Sequence, residues 1–263
     1  MTSHPIKEVV LCADDYALNA PVSQGIVALA VLGRLSATSV MSLSPRWAED
    51  VVALRDVRDR LDVGVHLDWT SHFAESKGMG GRLAAIKLRA ALRLCKPQNI
   101  EEQSEHQLDA FEAQWQAPPD HIDSHQHVHQ LPVFRQALMR VLMRRYGAIR
   151  HRPWLRVSSA ASPLQKLARS QAWPMGCPVL GDYGFNASMD DYGRHMQGWL
   201  ANAPSDATAL ITCNPAVSAQ ADDPLGNTRK REFAYLAGHD FVQHLVDASV
   251  RVVRGSGKPM LPV

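Results

Sequence analysis

The stretch VVLCADDYALNAPVSQGIVALAVLGRLSATSVMSL, residues 9–43, decides the fold. Its start, VVLCA (9–13), is short, apolar and β-branched, which predicts a buried strand. APVSQGIVALAVLGRL (20–35) predicts a helix, with Asn19 placed to cap it and Pro21 in its first turn. ATSVMSL (37–43) predicts a second strand. A strand, a helix and a strand in succession form the unit of a parallel sheet.

The alternation continues along the chain. PRWAEDVVALRDVRDR (45–60) predicts a helix and LDVGVHL (61–67) a strand. NIEEQSEHQLDAFEAQWQ (99–116) predicts a helix, with Asn99 and Glu102 in capping-box spacing. PDHIDSH (119–125) predicts a short strand, and LPVFRQALMRVLMRRYG (131–147) a helix. Later strand candidates are WLRVS (154–158), PVLG (178–181), TALITC (208–213) and VRVV (250–253). SHFAESKGMGGRL (71–83) and NPAVSAQADDPLGNTRK (214–230) read as long loops, which in α/β domains often contact substrate. So many βα units predict an α/β barrel, closed or incomplete, with an open doubly wound sheet as the rival.

Bulk properties narrow the function. A net charge of +2 argues for neither nucleic acid nor a membrane surface. The basic run RYGAIRHRPWLR (145–156) reads as a solvated face. Cys12, Cys95, Cys177 and Cys213 form no CxxC pair, and their scatter suggests a reducing compartment. The N-terminal residues lack a signal-peptide pattern, and no segment has the ~18 apolar residues of a transmembrane helix. A cytoplasmic protein without membrane insertion is the expectation.

The polar residues that matter fall at strand ends. Asp14 and Asp15 follow the first strand, His66 ends DVGVHL, His125 lies just past HIDS, and Asn214 follows LITC. In parallel α/β folds the carboxyl ends of the strands share one face, where sites are built. Two imidazoles and one carboxylate can hold a divalent cation with positions open for water and substrate. A second carboxylate can serve as base. Spacing alone does not say which of Asp14 and Asp15 is ligand and which is base. The cluster HIDSHQHVHQ (121–130) adds His121, His127 and His129. If it is extended, His125, His127 and His129 share a face; if it is helical, His125 and His129 pair. Asp123 either orients a ligand imidazole or is a polar residue on the strand's solvent side. Trp47, Trp69 and Phe73 either stack on sugar rings or pack in the core. The pattern His66, Asp68 and a later His125 also fits the HxD…H set of non-haem iron oxygenases.

In order, the segments ADDYALN, SVM, VGVHL, HIDSHQHVHQLP and IRHRP resemble the YdjC-like carbohydrate deacetylases, among them chito-oligosaccharide and hopanoid-associated deacetylases. GDYGFN and TRKREFAYL are weaker matches in the last third. The resemblance implies a single domain over residues 1–263 with an irregular (β/α) barrel similar to polysaccharide deacetylases. It implies Asp14 as general base and Asp15, His66 and His125 as ligands of one divalent ion, magnesium or zinc. It also implies Asn214 and His129 near the substrate, an N-acetylated sugar, with hydrolysis of its amide by metal-activated water. Family analogy further implies a homodimer. Two departures stand out. The family commonly has CHP where this chain has TCNPAV, so Asn214 stands at the place of a general-acid histidine. Ala17 stands where the family usually has the Gly of ADDFG.

Overall fold

The first strand runs beyond its apolar core. In the computed structural model, which describes residues 5–158, 162–181 and 192–260, β1 spans Lys7–Tyr16. Asp14 and Asp15 therefore lie within its last residues rather than after it. The architecture is α/β, with two compact units: Met1–Thr38, Val52–Asp62 and Cys177–Val263 in one, Ser39–Val51 and Val63–Gly176 in the other.

In the first unit β1 pairs in parallel with β7 (Ala209–Cys213) on one side and β8 (Val250–Val252) on the other. β6 (Val179–Gly181) extends β7 in parallel. The helix α1 (Ala20–Val31) begins where the sequence places it: the Asn19 side chain accepts from the Val22 N–H at 3.0 Å, and Pro21 occupies the first turn. It ends before residue 35 because Gly33 takes φ +65° and the Arg34 N–H closes back onto the Leu29 carbonyl. α8 (Tyr192–Ala201), α9 (Gly226–Ala237) and α10 (His239–Asp247) complete this unit.

In the second unit β3 (Asp62–Leu67), β4 (His121–Ser124) and β5 (Trp154–Leu155) pair in parallel, with His66 opposite Asp123. Asp62 itself falls in the first unit. The expected loop 71–83 contains a short helix, α3 (His72–Ser76), and leads into α4 (Leu83–Ala91). The helix α5 (Pro97–Trp115) starts two residues before Asn99, because Pro97 presets the first helical φ; the Asn99–Glu102 capping box does not form. α6 (Phe134–Tyr146) packs along α5 through Arg140, Arg144 and Arg145, which pair with Glu101, Glu105, Asp109 and Glu112. β2 (Ala37–Val40), α2 (Trp47–Arg55) and α7 (Pro163–Ser170) are the remaining elements among the described residues. β2 is shorter than expected because Met41 to Ser44 close a turn.

Trp47, Trp69 and Phe73 are core residues. Trp47 stacks on Phe111 and Trp69 meets Phe134 edge-on, and all three are buried. Apart from Gly181, the GDYGFN segment lies outside the described residues.

Candidate functional site

In the second unit the site is organised by Asp123. This residue is fully buried on β4, and the parallel register sets its side chain beside His66 of β3. His66 Nδ1 lies 2.5 Å from Asp123 Oδ1. The other carboxylate oxygen accepts from Ser39 Oγ at 2.6 Å, and Arg156 Nε stands 3.1 Å from it. Burial alone would raise the Asp123 pKa, but the Arg156 guanidinium and the His66 and His121 imidazoles outweigh it. They hold the carboxyl well below the ordinary carboxylate range. An ionised Asp123 accepts from His66 Nδ1–H, so in the neutral ring the lone pair sits on Nε2.

Behind this pair His121 is buried and stacks on Trp154 at 4.3 Å, with Nε2 3.0 Å from Ser39 Oγ. The ring lies against Gly64, where an added Cβ would come within 2.4 Å of it. That contact explains the glycine in DVGVHL. The run 145–156 is not one solvated face: Arg156 is buried on Asp123.

The cluster after β4 is neither a strand nor an α-helix. Residues His125–Gln130 form a 3₁₀ segment broken by left-handed conformations at Gln126 (φ +53°) and His127 (φ +57°). His125, partly exposed, opens it and meets the His66 ring edge-on at 5.7 Å. His129 closes it and is fully buried. Its Nε2 lies 2.9 Å from the Arg156 carbonyl, which can only accept, so Nε2 carries the proton. Its Nδ1 then accepts from the Ser124 hydroxyl at 2.6 Å. Burial, against the weaker opposing effect of the Arg156 carbonyl, lowers the His129 pKa to about 3. With both nitrogens engaged, His129 pins the turn that presents His125.

The Asp68 carboxylate caps its own turn. It accepts from the Thr70 and Ser71 N–H groups at 2.9 Å each and from the Ser71 hydroxyl. This use leaves the His66–Asp68 iron pattern without structural support.

In the first unit Asp14 and Asp15 lie in the last three residues of β1, near buried charged groups. Arg229 Nη2 is 2.6 Å from Asp15 Oδ2, and Arg229 Nε is 2.9 Å from Asp223 Oδ2. Asn214, just past β7, gives its N–H to Glu232 Oε2 at 2.5 Å, and its side-chain oxygen faces Arg229 Nη1 at 3.5 Å. Glu232 is fully buried, and that burial raises its pKa to about 7, with the Asp14 charge adding to it against the Asn214 N–H and Arg229. Ala17, at φ +70°, sits in the left-handed region that glycine favours, and its N–H bonds to Ser23 Oγ at 3.1 Å. The departure from the family's glycine thus falls where the backbone demands one.

His66 and His125 are candidate metal ligands of the second unit, and Asp15 is a candidate carboxylate of the first. Sequence reasoning had named them, with Asp14 and Asn214. As site residues it missed Ser39, Arg156, Arg229 and Glu232, although SVM holds Ser39 and TRKREFAYL holds Arg229 and Glu232. A signal existed for the last two: α9 carries Arg229 and Glu232 three residues apart, on the one face of the helix that is buried.

Comparison with known proteins places the family and the fold. The profile of the family described as YdjC-like protein matches residues 8–247. A carbohydrate deacetylase from Enterococcus faecalis is 29% identical over 133 residues, covering 47% of this chain and 50% of that protein, so the match spans about half of its relative's length. Among solved structures, a candidate cellobiose-phosphate cleavage protein from Enterococcus faecalis V583 superposes with a TM-score of 0.77 at 19% identity, covering 94% of this chain and 97% of the other. A family 4 carbohydrate esterase from Streptomyces lividans, crystallised with acetate, gives a TM-score of 0.50 at 10% identity, covering 95% and 93%. At these identities the likeness is one of fold, and it bears out the α/β, irregular (β/α) barrel class. With a profile match over nearly its whole length, the chain belongs to the YdjC-like protein family.

Proposed function

We propose that this chain is a carbohydrate deacetylase, a hydrolase that removes the acetyl group from N-acetylated sugars with one divalent metal ion. The observation that carries the reading is the buried Asp123–His66 pair. A carboxylate that fixes one imidazole nitrogen and leaves the lone pair on the other is the partner that metal-ligating histidines usually have. The family, the name of the Enterococcus relative and the esterase fold support the reaction class.

In this reading Asp15, His66 and His125 hold the ion, magnesium or zinc, and two imidazoles favour zinc. The donor set fits, being one carboxylate and two imidazoles, the first ring already fixed through Nδ1. Such an ion supplies Lewis acidity to the acetamide carbonyl and makes a nearby water more acidic. Asp14 takes the proton of that water as it attacks the carbonyl carbon. Arg229 orients Asp15. Asn214 can donate a hydrogen bond to the developing oxyanion but cannot deliver a proton. His129, with both nitrogens bonded, stays out of the chemistry. Protonated Asp14 is then the group that returns a proton to the leaving amine. The same reading makes the two units one catalytic domain, cytoplasmic and homodimeric.

Metal analysis of the purified protein, followed by an acetate-release screen over N-acetylated sugars, tests the proposal. Asp14→Asn should keep the metal and lose deacetylation; undiminished acetate release in that variant removes Asp14 from its role. Asn214, at the place of the family's histidine, favours a second reading as a sugar-binding protein without turnover. Metal and oligosaccharide binding with no acetate released from any sugar of the screen would establish it.

A further inference from the structure

The segment from α4 to the start of α5 carries an exposed apolar row in a one-signed field. From Lys77 to Ile100 the sequence has six cations, Lys77, Arg82, Lys87, Arg89, Arg93 and Lys96, and no Asp or Glu. All six are exposed, and none forms an ion pair among the described residues. Leu88, Leu92 and Leu94 are 61%, 60% and 68% exposed. They account for three of the nine exposed large apolar side chains described, within seven residues.

Helix geometry sorts these groups. Ile86 and Ala90 face inward and anchor α4. Ala84, Leu88 and Leu92 follow at i, i+4 spacing and form one outward row. At 100° per residue, Lys87 and Arg89 lie on either side of that row. Leu94, also exposed, follows a left-handed turn at Arg93 (φ +55°). An apolar stripe bordered by cations, on a helix held by its opposite face, is the pattern of an element that lies in a membrane interface.

We propose that α4 and the turn after it dock this protein onto an anionic lipid surface, leucines in the acyl boundary and cations among the headgroups. Charge decides between occupants. A second copy meeting this face symmetrically would oppose six cations to six. A nucleic acid would satisfy the cations but leave three leucines in water. An anionic bilayer satisfies both sets. The chain's net charge of +2 conceals the surplus, because acidic residues elsewhere offset it. α4 also packs against the 3₁₀ segment that presents His125, so docking would bring that turn close to the lipid surface. The inference stands apart from the proposed reaction, and its test reads no activity.

The full chain is sedimented with vesicles of phosphatidylcholine alone, or with about one-third phosphatidylserine, at low and physiological salt. Binding should require phosphatidylserine and weaken as salt rises. A K87Q/R89Q variant should bind such vesicles roughly 30-fold more weakly. L88S/L92S/L94S, with its charge unchanged and its fold checked by circular dichroism, should lose most binding at physiological salt. Equal sedimentation with both vesicle types overturns the proposal. So does a leucine variant that binds like the parent, which would mean adhesion by charge alone. Self-association that the leucine variant abolishes, with no vesicle binding by the parent, assigns the face to a second copy instead.

Discussion

Asp123 Oδ1 and His66 Nδ1 stand 2.5 Å apart on adjacent parallel strands, both side chains buried. The same carboxylate offsets the buried Arg156 guanidinium. Asp123→Asn therefore touches two functions that separate experimentally. Losing the carboxylate behind His66 should weaken divalent-metal binding by about 10–100-fold. Leaving Arg156 buried without its counter-charge should cost about 3–5 kcal/mol of stability. Pairing Asp123→Asn with Arg156→Met removes the stranded charge. The double variant should recover stability in urea denaturation while calorimetric metal titration stays weak. Metal affinity that returns together with stability would show that Asp123 acts on the fold alone.

Ala17 yields a prediction of opposite sign. Its φ of +70° costs an L-residue about 1–2 kcal/mol, and glycine escapes that cost. Its methyl group is fully buried, and losing it sacrifices about 0.8 kcal/mol. Ala17→Gly should thus stabilise the protein by up to about 1 kcal/mol, read as a higher urea midpoint at unchanged slope. A drop in midpoint would mean that methyl packing outweighs backbone strain.

What could be read in the sequence follows from how local each signal is. β1, α1 and β3 announce themselves by apolar period and cap, and the structure has them near the expected bounds. Asp14, Asp15, His66 and His125 stand out because strand ends are where parallel folds gather polar residues. Asp123 was an even choice between orienting an imidazole and facing solvent. Only the register that sets it opposite His66 decides the matter. Arg156, Arg229 and Glu232 were invisible because their partners lie far away in sequence: Arg229 and Asp15 are 214 residues apart. His129 looked like a substrate contact until both its nitrogens were traced. The missed helices α4 and α7–α10 lie where loops were expected or no element was assigned.

His129 predicts sensitivity to acid. Its folded pKa of about 3 lies below the 6.5 of the free side chain. The sign follows: the neutral ring is stabilised, so its contribution is full above pH 6.5 and is lost as pH falls toward 3. The loss should reach several kcal/mol across that window. His129→Gln cannot take up a proton and should flatten stability over the same range, though it starts lower because it sacrifices packing. Urea midpoints from pH 7 to pH 4 check this, and parallel curves for parent and variant would refute it.

Glu232 predicts the reverse slope at higher pH. Its folded pKa of about 7 lies above the 4.5 of the free side chain, chiefly because burial penalises the charged form. The folded state therefore binds more protons than the unfolded state between those values, and stability falls as pH rises through them. The whole change is on the order of 3 kcal/mol. Glu232→Gln keeps an oxygen to accept the Asn214 N–H and removes the buried charge. Arg229 loses one of its carboxylate neighbours but retains Asp15 and Asp223. The variant should match the parent near pH 5 and exceed it in urea midpoint at pH 8. The histidine- and glutamate-linked slopes oppose each other between pH 4.5 and 6.5, so the parent's stability should change less there than between pH 3 and 4.5, where His129 acts alone. A variant less stable than the parent at pH 8 would show that the ionised carboxylate holds Arg229 in place, with its charge outweighing the burial that disfavours it.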